Sequence, residues 1–381
     1  MMTDMVPLLE RPKMRGTGVK VVGLADVALG YGYQQLELMV TALAQKYGAA
    51  EAYIVEPDMK FRRQMHEREG LRIVRFGSRM PPHDETFHIE YNIQIERFLK
   101  EVEPDIVVFV NAAVLPALLL QKRRPPLCIY YMLESLHHQR QAGGENFIRL
   151  NEMAKHLVDL VIVPERRRAD HDLTTLGWND ARVVEVLNLT HQGFTPPAVK
   201  TEPSFMYAGT IGRQTQCHYL LDSALSGYRI DLAGPAYSED ANQILKSVQE
   251  RNNIRYLGVL SSLELDAVRQ QYAYSIVMWA PTDINQLYAS PNKFFEAIAS
   301  GVPPICAPHP QCAEVIDEFG CGLLMEDWSL GAFIEAMKEA SSIVGTSRYE
   351  QLVANCKIAV EEKLNIPEQF KKVEMALEAF V

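Results

Sequence analysis

The chain has 381 residues, 48% of them apolar, and a formal net charge of −10. That length exceeds what one hydrophobic core of ordinary size occupies, so two domains are expected, and the negative balance argues against a nucleic-acid partner, which would require many phosphates to be neutralised. The longest apolar runs, 112–120 and 273–280, are far shorter than the ~20 residues that cross a bilayer.

From the N-terminus, residues 1–15 place acidic, proline and basic residues where a secretory signal needs a continuous apolar stretch. A frayed tail and a cytoplasmic protein are expected. Short apolar runs at 19–24, 52–55, 71–76, 106–110, 127–131, 160–163 and 183–187 then read as strands. Stretches with helical periodicity at 33–47, 89–102, 145–157 and 167–176 lie between them. This alternation predicts a doubly wound parallel sheet, with a crossover helix after each strand.

The alternation pauses at 195–203, where three prolines in nine residues favour an extended connector. It resumes with strands at 205–208, 229–233, 254–257, 275–278 and 304–307, and 367–381 reads as an amphipathic helix. The expected organisation is therefore α/β, with two Rossmann-like doubly wound domains at 1–195 and 196–365 facing a cleft, and a terminal helix at 366–381. Ligands of such sheets bind beyond the carboxyl ends of the strands. The six cysteines (Cys128, Cys217, Cys306, Cys312, Cys321 and Cys356) lack any metal-site spacing and read as reduced, buried thiols.

The most informative segment is Ser290-Pro291-Asn292-Lys293-Phe294-Phe295-Glu296, followed by Ala297-Ile298-Ala299-Ser300-Gly301. Serine followed by proline predicts a helix start, with Ser290 as N-cap and Pro291 at the first helical position, and Gly301 ends the helix. The first turn of such a helix is a natural seat for a phosphate, to which Lys293 adds a full charge. Glu296 stands further in, where a carboxylate accepts hydrogen bonds from ribose hydroxyls.

This segment resembles the nucleotide-sugar segment of GT-B glycosyltransferases, particularly those of the family 4 (group 1) type, in which this glutamate binds the donor ribose. Phe205-Met206-Tyr207-Ala208-Gly209-Thr210-Ile211-Gly212-Arg213 is similar to the strand and glycine loop that opens the family's donor domain. Asp231-Leu232-Ala233-Gly234-Pro235, Tyr256-Leu257-Gly258 and Val183-Val184-Glu185-Val186-Leu187-Asn188 match further family segments in order. The resemblance implies an acceptor-binding first domain and a nucleotide-sugar-binding second domain. Gly209, Thr210, Arg213, Gly234, Ser290, Asn292, Lys293 and Glu296 would hold the donor, and the terminal helix would cross back onto the first domain. It implies a metal-independent hexosyltransferase, without a cofactor, moving a sugar from a nucleoside-diphosphate sugar to a hydroxyl of a glycan or lipid-linked acceptor, in polysaccharide biosynthesis.

Two departures stand out. The family's Lys-Gly pair is replaced by Gln214-Thr215-Gln216, which shifts the diphosphate grip toward Arg213 and Lys293. The glutamate usually found eight positions before the ribose glutamate is replaced by Tyr288, with Asp283 in the same loop as a substitute for sugar contacts. A nucleotide-sugar epimerase of the same fold, or an inactive sugar-nucleotide-binding protein, are therefore the rival readings.

In the first half, Gly30-Tyr31-Gly32 follows the first strand, where related enzymes carry a glycine loop over acceptor and donor phosphates; a full dinucleotide Gly-x-Gly-x-x-Gly is absent. Glu134 and His137, in the segment leaving the fifth strand, and Asp26, leaving the first, are the catalytic candidates, with Glu134 foremost as a base and His138 beside it. Asp170-His171-Asp172 reads as a solvated helix face, because residues two apart on a helix diverge and share no metal. Lys122-Arg123-Arg124 and Arg166-Arg167-Arg168 are short basic clusters suited to peripheral contact with an anionic membrane or to a phosphate-bearing acceptor.

Overall fold

The structure is a computed structural model and describes residues 12–29, 34–58, 70–77, 85–189 and 193–380. Two compact units emerge, Met1–Leu187 with Phe370–Val381, and Asn188–Gln369.

The first unit runs β1 (Lys20–Leu24), α1 (Gln34–Lys46), β2 (Glu51–Pro57), β3 (Arg72–Phe76), α2 (Glu85–Val102), β4 (Ile106–Val110), α3 (Leu115–Leu119), β5 (Leu127–Tyr131), α4 (Leu136–Ala154), β6 (Leu160–Val163), α5 (Arg166–Thr175) and β7 (Val183–Glu185). All seven strands are parallel, in the order β3-β2-β1-β4-β5-β6-β7. Strands β4, β5 and β6 are buried along their whole length, as expected where helices cover both faces and β-branched and aromatic side chains fill both sides. Helix α4 is two helices joined across a kink, because Gly143 and Gly144 leave helical geometry, Gly144 at φ 59°. The helical periodicity read from residue 145 onward is its second half.

The second unit runs β8 (Ser204–Ala208), β9 (Arg229–Ala233), α6 (Glu239–Gln249), β10 (Ile254–Tyr256), α7 (Ser262–Arg269), β11 (Tyr274–Val277), α8 (Ile284–Leu287), α9 (Asn292–Ala299), β12 (Pro304–Cys306), α10 (Pro310–Phe319), β13 (Leu323–Leu324), α11 (Leu330–Ile343), α12 (Ser347–Glu362) and α13 (Ile366–Leu377). Its six parallel strands are ordered β10-β9-β8-β11-β12-β13. One expected feature is corrected here: β8 and β9 are joined by two 3₁₀ turns, Cys217–Leu221 and Ser223–Leu225, and not by a crossover α-helix.

The division between units falls ahead of the proline run because 188–203 is tied to the second unit. Asn188 donates its side-chain amide to the Ser290 carbonyl (2.8 Å), and the Thr195 amide donates to Ala299 (2.8 Å). Gly301, at φ 65°, lies so close to Pro197 that a Cβ there would stand 2.4 Å from the ring. Helix α13 begins in the second unit, but its Val373 and Leu377 are buried in the core of the first, beside residues of β1 and β4. Lys46 pairs with Glu374 at 3.1 Å on the rim of that contact.

Candidate functional site

In each sheet the strand order reverses once, between β1 and β4 in the first unit and between β8 and β11 in the second. Open α/β sheets bind ligands beyond the carboxyl ends of strands at such a reversal.

In the second unit, β8 and β9 are each followed by a glycine in positive φ, Gly209 (145°) and Gly234 (140°). A Cβ on Gly234 would lie 1.9 Å from the Gly209 carbonyl oxygen, so the two loops touch backbone to backbone. A Cβ on Gly209 would lie 3.1 Å from the Lys293 ammonium. Lys293 stands in the first turn of α9, with its Nζ 3.9 Å from the ring centre of Tyr207 on β8 and 4.2 Å from that of Trp279 just after β11. The ammonium is buried and has no hydrogen-bond acceptor. Burial lowers its pKa to about 8. A desolvated ammonium held only by two aromatic faces is attracted by their quadrupoles but retains most of its unmet hydrogen-bonding capacity, which is what an arriving anion would meet.

Ser290 is not the N-cap of α9. The cap position belongs to Pro291 (φ −80°, ψ 120°) and no side chain caps the first turn. The Ser290 hydroxyl instead donates to Gln311 on α10 (2.6 Å), which anchors the loop entering α9. Phe294, Phe295 and Ile298 are buried, and roughly 1.5–3 kcal/mol for each such side chain holds the helix to the sheet. Asn292 is half-buried at the start of the same turn.

Glu296 is not a free carboxylate. Its Oε2 accepts from Arg269 Nη2 at 2.5 Å, and that wholly buried guanidinium, at the end of α7, also donates to Asp266 (3.1 Å). The Glu296 side chain keeps about a quarter of its surface open, at 24%. A charge-assisted bond to an immobile arginine fixes the direction of the carboxylate.

The other donor-side candidates are less firmly placed. Arg213 lies on the surface, its side chain 65% exposed, with Asp240 at 3.8 Å. Thr210 is exposed, and its carbonyl accepts from the hydroxyls of Tyr207 (2.7 Å) and Thr215 (2.9 Å). Asp283 is the N-cap of α8, accepting from the Gln286 amide (2.9 Å), and Tyr288 closes that helix. Near Lys293, buried His309 packs edge-on to Trp279 and Trp328 with ring centres 6.0 and 5.9 Å apart. Its Nδ1 lies 3.3 Å from the Leu287 carbonyl, and burial lowers its pKa to about 4.

In the first unit, the reversal brings Asp26 after β1 and Asn111 after β4 into contact: Asn111 Nδ2 donates to Asp26 Oδ2 at 3.0 Å. Glu134 follows β5, and its main chain is held on both sides. Its amide donates to Asn111 Oδ1 (2.9 Å), and its carbonyl accepts from Gln139 (2.9 Å). The preceding Leu133 carbonyl accepts from buried Arg168 (2.7 Å). The Glu134 side chain is 43% exposed, with His138 Nδ1 at 4.0 Å. His137 is exposed and bonded to Gln141 of its own helix (3.0 Å), apart from this network. Gly30 and Gly32 lie outside the described residues.

One surface reading is corrected. Asp172 is buried and accepts from the Leu136 amide (3.1 Å), so the Asp170-His171-Asp172 segment is not simply a solvated face. In the basic clusters, Arg124 pairs with Asp159, Arg166 with Asp170 (2.7 Å) and Arg167 with Glu165 (2.9 Å), Arg168 is buried, and Lys122 and Arg123 are exposed. Among the described residues no helix is long and apolar enough to cross a membrane, and no group of three or more His, Cys, Asp or Glu residues gathers as for a metal ion.

Asn111, Arg269, Tyr207, Trp279 and His309 were not visible as site residues in the sequence. Each joins the site through a partner distant in the chain, and only the run of aromatic and basic side chains around the strand ends hints at them.

The family described as Glycosyl transferases group 1 matches residues 202–342, which contain β8 to β13 and Lys293. No curated protein matches the chain in sequence. Among solved structures, a sucrose-phosphate synthase from Thermosynechococcus elongatus superposes with a TM-score of 0.71 at 14% identity, over 95% of this chain and 100% of that one. HepE from Anabaena, solved in complex with UDP-glucose, gives 0.65 at 13% identity over 94% and 99%. The lipopolysaccharide outer core galactosyltransferase WaaB gives 0.60 at 14% identity over 95% and 100%. The fold is that of the GT-B glycosyltransferases, as the sequence resemblance implied.

Proposed function

We propose that the protein is a glycosyltransferase that moves a hexose from a nucleoside-diphosphate sugar to a hydroxyl of a glycan or lipid-linked acceptor, in polysaccharide biosynthesis at the cytoplasmic side of the membrane. The observation that carries this reading is Lys293: a buried ammonium without an acceptor, in the first turn of α9, at the reversal of a sheet whose two adjacent loops are stripped to glycine backbone.

A diphosphate placed there meets a full positive charge and a helix N-terminus, and both stabilise the charge that develops as the sugar departs. They supply the electrostatic role that a divalent cation plays in other transferases, so the reaction is proposed to proceed without one. Glu296, aimed by Arg269, accepts from the ribose. In the first unit, Glu134 is the proposed base for the acceptor hydroxyl, and Asp26 the second carboxylate of that site. The bound UDP-glucose of HepE supports a nucleotide-sugar donor. The six cysteines, all buried, suit a reducing compartment.

The test is calorimetric titration of the purified protein with UDP, GDP, ADP and dTDP, repeated on Lys293→Met. Binding of one of these, lost or weakened roughly 10²-fold in the variant, is expected from a charged contact of about 1.5–3 kcal/mol. Failure of all four to bind would sink the proposal.

A further inference from the structure

Asn111 adopts φ 52°, ψ −176°, one of three non-glycine residues with positive φ among the described residues. That region is comfortable for glycine and strained by about 1–3 kcal/mol for a residue with a Cβ. Asn111 occupies the cap position of the 3₁₀ turn Ala112–Val114, but its side chain makes no capping bond. Both ends of its amide reach other segments instead: Nδ2 to the Asp26 carboxylate at 3.0 Å and Oδ1 to the Glu134 amide at 2.9 Å. The residue is 2% exposed. A buried position whose backbone favours glycine yet holds asparagine indicates that the side chain is required. What that side chain does is join the loops after β1 and β5 at the point where the strand order reverses.

The surrounding bonds support the same conclusion. Gln139, which grips the Glu134 carbonyl, also accepts from the Ala112 amide next to Asn111 (3.0 Å) and from Asn151 (2.9 Å). The Glu134 loop is thus fixed from two directions, while its side chain is 43% exposed.

We propose that Asn111 is a positioning residue that sets Asp26 and Glu134 in one fixed relation, at the expense of local backbone stability. This rests on the reading of those two carboxylates as the reactive pair of the first unit. Misplacing a reacting group by about 1 Å can reduce a rate roughly 10²-fold, so loss of the bridge should appear in turnover while leaving nucleotide affinity, a property of the second unit, unchanged.

Asn111→Gly separates this role from a structural one, because glycine relieves the backbone strain and removes only the bridge. Three readouts are compared with the parent protein: the thermal midpoint, hydrogen exchange of the Glu134 amide, and UDP release from UDP-glucose. The expected outcome is an unchanged or higher midpoint, exchange at Glu134 faster by about tenfold or more, and release slowed toward 10²-fold with UDP affinity unchanged. Asn111→Asp should keep Glu134 protected but repel Asp26, and lose turnover all the same. Unchanged Glu134 exchange, unchanged release, or a midpoint lowered by several degrees would each overturn the proposal. If the parent protein neither binds nor turns over UDP-glucose, that failure falls on the choice of donor, and the exchange and midpoint still decide whether Asn111 acts as described.

Discussion

Replacing Lys293 by methionine should make the ligand-free protein more stable and the donor site weaker. The ammonium's fall from a pKa of 10.5 to about 8 comes chiefly from burial, and at 1.36 kcal/mol per pH unit it corresponds to about 3 kcal/mol of penalty for the charged form near neutrality. Attraction to the Tyr207 and Trp279 faces offsets about 1–2 kcal/mol of this. Methionine, of similar length and without charge, should therefore stabilise the second unit by about 1–2 kcal/mol at pH 7, a rise of roughly 2–8 °C in its thermal midpoint. Because the folded pKa lies below the unfolded one, the unfolded chain binds more protons between about pH 8 and 10.5, and stability of the parent protein rises with pH across that window. The slope should vanish in Lys293→Met. A bound diphosphate restores the charged form, so titration of UDP near pH 8.5 should take up protons, seen as a dependence of the measured heat on the buffer's ionisation enthalpy. A variant less stable than the parent at pH 7, or one that binds UDP as well, would refute the reasoning.

Glu296→Gln should weaken UDP by roughly 10–100-fold and bring its affinity close to that of 2′,3′-dideoxy-UDP, since a charged acceptor for the ribose contributes about 1.5–3 kcal/mol; calorimetry in which the parent's preference for UDP survives would rule this role out. Gly234→Ala places a Cβ 1.9 Å from the Gly209 carbonyl at φ 140°, and should destabilise the second unit by more than about 3 kcal/mol, whereas Gly212→Ala, with nothing within 4 Å, should melt like the parent. His309 has its folded pKa lowered from 6.5 to about 4 by burial, so between those values the unfolded chain takes up a proton that the folded one refuses. Stability should fall as pH drops through that window, by up to about 3 kcal/mol, and His309→Gln should flatten the fall in urea titrations at pH 7 and 5.

Local patterns carried the fold. Strands 106–110, 127–131, 160–163 and 229–233 have the bounds read from the sequence, because each is a short, mostly buried apolar run. Strand β13, two residues long, offers no periodicity to read, and the first half of α4 was hidden by the glycine pair at its kink. In the site, Lys293 and Glu296 were legible from their spacing on one helix. Their settings were not: the Tyr207 and Trp279 faces and the Arg269 guanidinium come from elements that only the tertiary fold brings to α9. The partners of Arg124 and Arg168 in the basic triplets were hidden for the same reason, since Asp159 and the Leu133 carbonyl lie 35 residues from each.

The departures from the family pattern acquire a common meaning once charges are placed. Thr215 and Gln216, standing where a Lys-Gly pair is usual, turn inward: the Thr215 hydroxyl bonds the Thr210 and Gly212 carbonyls, and the Gln216 amide bonds Trp328. Arg213 is left on the surface while Lys293 is buried, so on the proposed reading Lys293 is the cation that meets the diphosphate. Tyr288 brings no carboxylate and Asp283 caps α8. On the proposed reading the second unit therefore supplies the positive charge that stabilises the leaving diphosphate, and the first supplies the carboxylates, Asp26 and Glu134, that act on the acceptor. A division of this kind makes the two functions separable. Variants at Lys293, Arg269 or Glu296 should act first on donor affinity, and variants at Asn111, Asp26 or Glu134 on turnover at saturating donor. A Glu134→Gln protein that lost UDP affinity in step with its rate would contradict that division.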